Sequence, residues 1–390
     1  MRPVSSTLRG SDGPLSTRYD VALLDLDGVV YVGPDAVPGA PQALRRAREE
    51  GMRLAFVTNN AARPPQAVAA HLTELGISAE ATEVITSAQA AARYLSDRLP
   101  SGARVLVLGT DGLIEALRER GLTPVHDADG RVDAVVQGFS PTMDWALLSE
   151  GAVAINRRAP WVATNIDPTV PSPRGPLPGN GSLVKALQHA TGADPVVTGK
   201  PDPTMHRETL LRTGAASPLV VGDRLDTDIE GANAVGCDSM IVFSGVTTVP
   251  ELLRAVPQHR PTYVGSDLRD VLVVHPPVEV ETTGASCGRW RATISTTGEP
   301  GRGASDKTEV VLETTGEHRT VENGAGLQTG TRSQDGATEP VYDEDQLDAI
   351  RALCAGIWSR HTAGGDQTRV RAGTSDDARS VLAALGLDTS

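Results

Sequence analysis

Aromatic side chains are scarce in this chain of 390 residues: three Phe, four Trp and five Tyr make up 3% of it. Its core therefore has to be aliphatic, packed from Ala, Val and Leu rather than from rings. Cysteine is nearly absent as well. Cys237, Cys287 and Cys354 are odd in number, far apart and without a CxxC pair, which argues against a disulfide framework or a zinc site and fits a reduced, cytoplasmic chain. No apolar run approaches the roughly 18 residues of a membrane span. Residues 1–18 contain early arginines but no apolar stretch, so they are expected to form a flexible lead-in and not a signal peptide. Positive charge is in deficit: 36 Lys and Arg against 49 Asp and Glu leave a net charge of −13. A chain of that sign is not expected to bind nucleic acid or an anionic membrane, and a phosphorylated substrate would need a local positive site. Lysine is the rarest charge, at Lys185, Lys200 and Lys307 only.

What the sequence does have is order. "VALLDL" is a short apolar run, "PQALRRAREEG" has helical spacing with Gly51 as a stop, "RLAFVTNN" is a second strand, and "PPQAVAAHLTELG" is a second helix closed by Gly76. Strands and helices go on alternating to about residue 275, which predicts an α/β fold with a parallel sheet and helices on its faces. Active sites in such sheets lie beyond the carboxyl ends of the strands. Beyond 275, "TTGEPGRGASDK" and "ENGAGLQTGTRSQDGATEP" read as linkers or long loops. They flank the strand-like "RWRATIS" and "TEVVLET", the helical "DEDQLDAIRALCAGIWSRH" and a short final helix. Residues 276–390 are thus expected to form a separate small α+β unit.

Four pieces fall at predicted strand ends. Asp25-Leu26-Asp27-Gly28 follows the first strand and Thr58-Asn59-Asn60 the second. Gly199-Lys200-Pro201 follows "PVVT", and "VVGDRLDTDI" sets Asp223 at a strand end with Asp228 five residues on. Each alone has a structural explanation as a cap or turn. Together they suit phosphoryl transfer. Two neighbouring aspartates repel unless a cation or water meets them, a carboxylate can take up a phosphoryl group, and Mg²⁺ favours one or two carboxylates plus phosphate and water. A lysine and hydroxyl or amide donors offset charge on the transferring oxygens. A second carboxylate can protonate the leaving alcohol and then activate water.

The order DLDGVV, TNN, GKP, GDRLDTD resembles the haloacid dehalogenase superfamily of phosphatases over about residues 20–275. That resemblance implies Asp25 as nucleophile, Asp27 as general acid/base, Thr58, Asn59 and Asn60 as phosphate-binding positions, and Lys200 as the bridge between nucleophile and phosphate. It also implies Mg²⁺ held by Asp25, Asp223 and the backbone carbonyl of Asp27, with Asp228 and Gly28 in support. The fold it implies is a Rossmann-like core, 19–81 and 180–275, with an α/β cap inserted at 82–179. The position of this cap resembles the nitrophenyl-phosphatase and phosphoglycolate-phosphatase branch. Asn165, Asp167 and Arg174 are the cap residues expected to reach toward the site; an Asx turn for the first two and a solvated arginine for the third are the alternatives.

The whole arrangement resembles glycerol-3-phosphate phosphatases that carry an acetyltransferase-like unit at their C-terminus. In that unit "RTVENGAG" has the ingredients of a pyrophosphate-binding run at the wrong spacing, so acyl-CoA binding is not expected. Trp290, Trp358 and Cys354 are expected in its core, and its role as packing, dimerisation or regulation, leaving room for a homo-oligomer through cap or C-terminal unit. The implied activity is Mg²⁺-dependent hydrolysis of a small phosphomonoester, glycerol 3-phosphate first. Phosphoglycolate, aryl phosphates, pyridoxal phosphate and nucleotides stay open, and a non-catalytic binding protein on the same scaffold is the reading from another class.

Overall fold

The computed structural model describes residues 8–170, 172, 174–297, 307–315, 342–360 and 368–387. Val21–Leu24, buried at every position, lies in the middle of a six-stranded sheet. On one side of it follow Arg53–Thr58 and Val84–Thr86; on the other stand Pro218–Gly222, Asp238–Val242 and Tyr263–Gly265. Every pairing is parallel. The chain first builds outward on one side and, some 130 residues later in sequence, returns to build the other. The strand order therefore reverses beside Val21–Leu24, and ligands bind at the carboxyl ends of the strands at such a switch. Gly51 and Gly76, read as helix stops, hold φ values of 98° and 80° that other residues rarely adopt.

The inserted cap is a second parallel sheet, in the order Val196–Val197, Trp161–Ala163, Ala134–Gln137, Arg104–Leu108, Thr123–Val125. Its boundaries differ from 82–179. Val84–Thr86 pairs with Arg53–Thr58 and is the edge of the core sheet. Val196–Val197 pairs with Trp161–Ala163, and the helix Asn180–Thr191 puts Val184 and Leu187 into the cap interior. A two-residue edge strand carries no periodicity to read, which is why the proline- and glycine-rich loop before Gly179 looked like the boundary.

The C-terminal unit forms the five-stranded sheet Val278–Glu281, Gly284–Cys287, Trp290–Thr297, Lys307–Thr314, Thr368–Ala372, antiparallel but for its last pair. Glu344–Arg360 is the helix that crosses between that last pair, and Asp376–Ala384 is the final helix. Trp290, Cys354 and Trp358 are buried, as expected. The unit is not separate, however. One hydrophobic cluster joins Ile229, Ile241, Phe243, Leu252 and Val264 of the catalytic side to Trp290, Ile350, Leu353 and Trp358. Polar ties seal the seam: Arg351 Nη2 donates to Val264 O at 2.7 Å, the Tyr342 N–H to Ser266 Oγ at 3.0 Å, and Trp358 Nε1 to Leu253 O at 3.3 Å. The "RTVENGAG" run lies outside the described residues, as does most of each linker.

The expected flexible lead-in is also corrected over residues 8–18. Leu8 is buried in the shared cluster, Leu15 is buried in the core, and Arg9 pairs with Asp238 at 3.1 Å. Among the described residues no helix is long and apolar enough to cross a membrane.

Candidate active site

The four motifs converge at the switch point. Asp25 stands just past Val21–Leu24 and Asp223 just past Pro218–Gly222. The register of those two strands sets Leu24 beside Val221, and the Asp25 N–H donates to Val221 O at 2.9 Å. Lys200 Nζ bridges the two halves. It lies 2.5 Å from Asp25 Oδ1, 2.6 Å from Asp228 Oδ1 and 3.2 Å from Val57 O. Asp228 holds its place through Oδ2, which accepts the Arg224 N–H at 3.1 Å, and Gly222 lacks a side chain because a Cβ there would sit 2.2 Å from Asp228 Cβ.

Asp223 is 1% exposed, and only one of its carboxylate oxygens is satisfied. Oδ2 accepts the Val246 N–H at 2.7 Å, while Oδ1 is buried with no hydrogen-bond partner among the described residues. A lone buried carboxylate oxygen is costly unless a cation meets it. Asp25, Asp223 and Asp228 each offer an oxygen within 4.8 Å of the others. Three carboxylates against the single Lys200 ammonium leave a local charge of −3 + 1 = −2, which a hard divalent ion such as Mg²⁺ balances. Gly28 and Gly245 wall this spot: a Cβ on them would meet Asp223 Oδ2 at 2.4 and 2.0 Å. Gly28 holds φ 87°, and its carbonyl accepts Ser244 Oγ at 2.7 Å.

Without the ion, this charge shows in the carboxyl groups. Burial first, then Asp228, pushes Asp223 up to about 7, and burial together with Asp228 and Asp223 raises Asp25 against the pull of Lys200. A carboxyl whose folded pKa exceeds its unfolded value of 3.8 binds its proton more tightly when folded, so its contribution to stability falls as pH rises from about 4 to about 7. Mg²⁺ should therefore raise the melting temperature more at about pH 7.5 than at about pH 5, where protons already occupy the cluster. Thermal melts with and without Mg²⁺ at both pH values check this; an equal rise at both would speak against a metal at these carboxylates.

Asp27 stands apart. Its side chain is exposed, and no described side chain hydrogen-bonds its carboxylate. The mass of protein around it raises its pKa, with Lys200, Arg63 and His71 pulling the other way. Tyr31 and His71 pack edge to face with ring centres 5.3 Å apart, and both lie close enough to Asp27 to feel its charge. Thr58 is buried, and its hydroxyl accepts the Asn60 N–H at 3.1 Å. Asn60 Oδ1 closes a turn on the Ala62 N–H at 2.8 Å. Asn59 turns its carboxamide toward the backbone of Lys200.

Of the cap candidates, Asn165 and Asp167 reach the site. Asn165 Nδ2 donates to Asn59 O at 2.8 Å while Asn165 Oδ1 also closes the Asx turn with the Asp167 N–H at 3.2 Å. Asp167 Oδ2 accepts from Asn59 Nδ2 at 3.3 Å, and burial raises its pKa, with Arg224 opposing. Arg174 is exposed, and its backbone N–H donates to Ser172 Oγ at 3.1 Å. Sequence reasoning missed Val57 O, the Val246 N–H, Ser244 and Asn180, which act through backbone, from a distant loop or from the start of the helix Asn180–Thr191, and carry no local signal.

Known proteins align with this arrangement. Residues 22–123 match the family model described as haloacid dehalogenase-like hydrolase, and 197–271 match a HAD-hydrolase-like model. Residues 330–387 match a GCN5-related N-acetyltransferase like domain. The D-glycerol 3-phosphate phosphatase of Mycobacterium tuberculosis is 50% identical over 257 residues, 66% of this chain and 72% of that protein. An acid sugar phosphatase of Staphylococcus saprophyticus is 37% identical over 65% of this chain and 97% of its own length. The crystal structure of a glycerol phosphate phosphatase from Mycobacterium tuberculosis in complex with magnesium superposes with a TM-score of 0.77 at 39% identity, covering 96% of this chain and 100% of that one.

Proposed function

The chain belongs to the haloacid dehalogenase-like hydrolases, and on that premise we propose that it is a Mg²⁺-dependent phosphatase of small phosphomonoesters, with glycerol 3-phosphate as its foremost substrate. One observation carries the chemistry: Lys200 holds Asp25 at the switch point beside the unpartnered oxygen of Asp223, while Asp27, two residues on, stays unbound. The substrate rests on the likeness to the mycobacterial glycerol phosphate phosphatases, which extends into the C-terminal unit.

Asp25 attacks phosphorus and becomes the aspartyl phosphate. Lys200 orients the attacking carboxylate and offsets charge on the transferring oxygens, and the Thr58 hydroxyl would donate to one of them. Asp27 holds a proton above the usual carboxylate range and passes it to the departing alkoxide. As a carboxylate it then takes a proton from the water that hydrolyses the acyl phosphate. Asp25, Asp223 and the Asp27 carbonyl would hold Mg²⁺, which supplies charge neutralisation at the phosphoryl group. The cap loop reaches this site through Asn165 and Asp167, which both hydrogen-bond Asn59, and such a cover suits a small ester.

Phosphate release from glycerol 3-phosphate, phosphoglycolate, p-nitrophenyl phosphate, pyridoxal phosphate and sugar phosphates, with Mg²⁺ and with EDTA, tests the reading. Metal-dependent turnover with the highest kcat/KM on glycerol 3-phosphate is expected. A different preferred ester would replace the substrate, and no turnover on any would remove the phosphatase assignment.

A further inference from the structure

Asn59 sits among the residues that a phosphate would meet, yet its side chain faces elsewhere. Its Oδ1 accepts the Lys200 N–H at 2.8 Å and its Nδ2 donates to Lys200 O at 3.1 Å. The second hydrogen on Nδ2 meets Asp167 Oδ2 at 3.3 Å. A carboxamide has two N–H donors, and both are occupied within the protein, so none remains for a phosphoryl oxygen. The fit is close: a Cβ at Gly199 would lie 2.7 Å from Asn59 Oδ1 and 2.2 Å from Thr164 O, which explains why glycine precedes Lys200. From this geometry we propose that the Asn59 side chain is a positioning group, which fixes Lys200 against Asp25 and ties it to the cap, and is not itself a phosphate ligand. The proposal rests on the phosphatase reading and deepens it.

The physical need is plain. A lysine ammonium rides on a flexible four-carbon stem, and here its far end is held by Asp25, Asp228 and Val57 O. Gripping both backbone polar atoms of the same residue fixes the near end too, so the ammonium has little freedom left. The tie to the cap runs through the Asn59 backbone. Its carbonyl accepts Ser87 Oγ at 2.6 Å and Asn165 Nδ2 at 2.8 Å, and the Asn165 carbonyl accepts Asn180 Nδ2 at 2.7 Å. Three asparagines thus link the first turn of the cap helix Asn180–Thr191 to Lys200. A cap that shifts takes this link with it.

Asn59→Ala separates the two roles. A misplaced catalytic group costs up to about 100-fold in rate, so kcat on the preferred ester should fall by about 10- to 100-fold. KM and the inhibition constant of inorganic phosphate at saturating Mg²⁺ should stay within about threefold. Asn165→Ala, which removes the cap's donor and leaves the Asn59 side chain intact, should show the same split at smaller size. It also keeps the test open if Asn59→Ala does not fold, as judged by its melting temperature. Phosphate inhibition weakened about tenfold or more with kcat retained would make Asn59 a phosphate ligand and overturn the proposal. Wild-type kcat in both variants would overturn it as well. Failure of the wild-type enzyme to release phosphate from any ester is a different result and would fall on the phosphatase reading itself.

Discussion

Asp25→Asn is expected to lower metal-dependent phosphate release by about 10³-fold or more while the protein stays folded. An amide keeps the shape of the carboxylate but cannot form the acyl phosphate. It still accepts from Lys200 Nζ, now at 2.5 Å from Asp25 Oδ1, so the lysine keeps a partner. The substitution also removes a buried carboxylate whose pKa is raised by burial and by Asp228 and Asp223, so the melting temperature of the metal-free variant should equal or exceed that of the wild type. Activity and thermal melts measured side by side check both halves. Turnover at the wild-type rate would show that Asp25 is not the nucleophile. Lost activity with a collapsed melting temperature would show that its role is structural.

Removal of the C-terminal unit, leaving residues 1–275, is expected to destabilise the catalytic core and take activity with it. The cut removes Trp290, Ile350, Leu353 and Trp358 from the cluster they share with Ile241, Phe243, Leu252, Leu253 and Val264. Leu225 and Ile229, on the turn that carries Asp228, pack into the same cluster. Truncating a single buried large side chain costs about 3–5 kcal/mol, and a domain of this size has a margin of only about 5–15 kcal/mol. A graded version is Trp358→Ala. That ring lies 5.3 Å from the Arg260 guanidinium, and its Nε1 donates to Leu253 O. The variant should lose about 3–5 kcal/mol in denaturant melts. A 1–275 chain that is soluble, monodisperse and melts like the full protein would show that the two parts are independent.

Most of the catalytic chemistry was legible in the sequence because it is local. Asp25 and Asp27 follow an apolar strand, Lys200 is one of three lysines in the chain, and Asp223 and Asp228 share one short segment. Strand ends in one parallel sheet point the same way, so Asp25, Thr58 and Asp223 fall together, whereas Lys200 follows the cap strand Val196–Val197 and reaches them from the other sheet. The apolar runs and helix stops likewise set the alternation of strands and helices. The cap edge was not legible, since Val196–Val197 is too short for a period, nor was the docking of Leu8 and Leu15, which depends on surfaces far away in sequence.

The sequence by itself set Asp25, Asp27, Lys200, Asp223 and Asp228 in an order suited to phosphoryl transfer, because that is a matter of residue type and spacing, and the resemblance to the family assigned each its expected role. Only the tertiary structure decided that Asn59 faces Lys200 instead of the phosphoryl group, that Asp223 keeps one oxygen unpartnered, and that the last unit shares a core with the first. Two of those facts turn on which backbone atoms and which apolar faces meet across 87 to 141 residues of chain. A linear pattern records the groups that can pair but not the pairs they make.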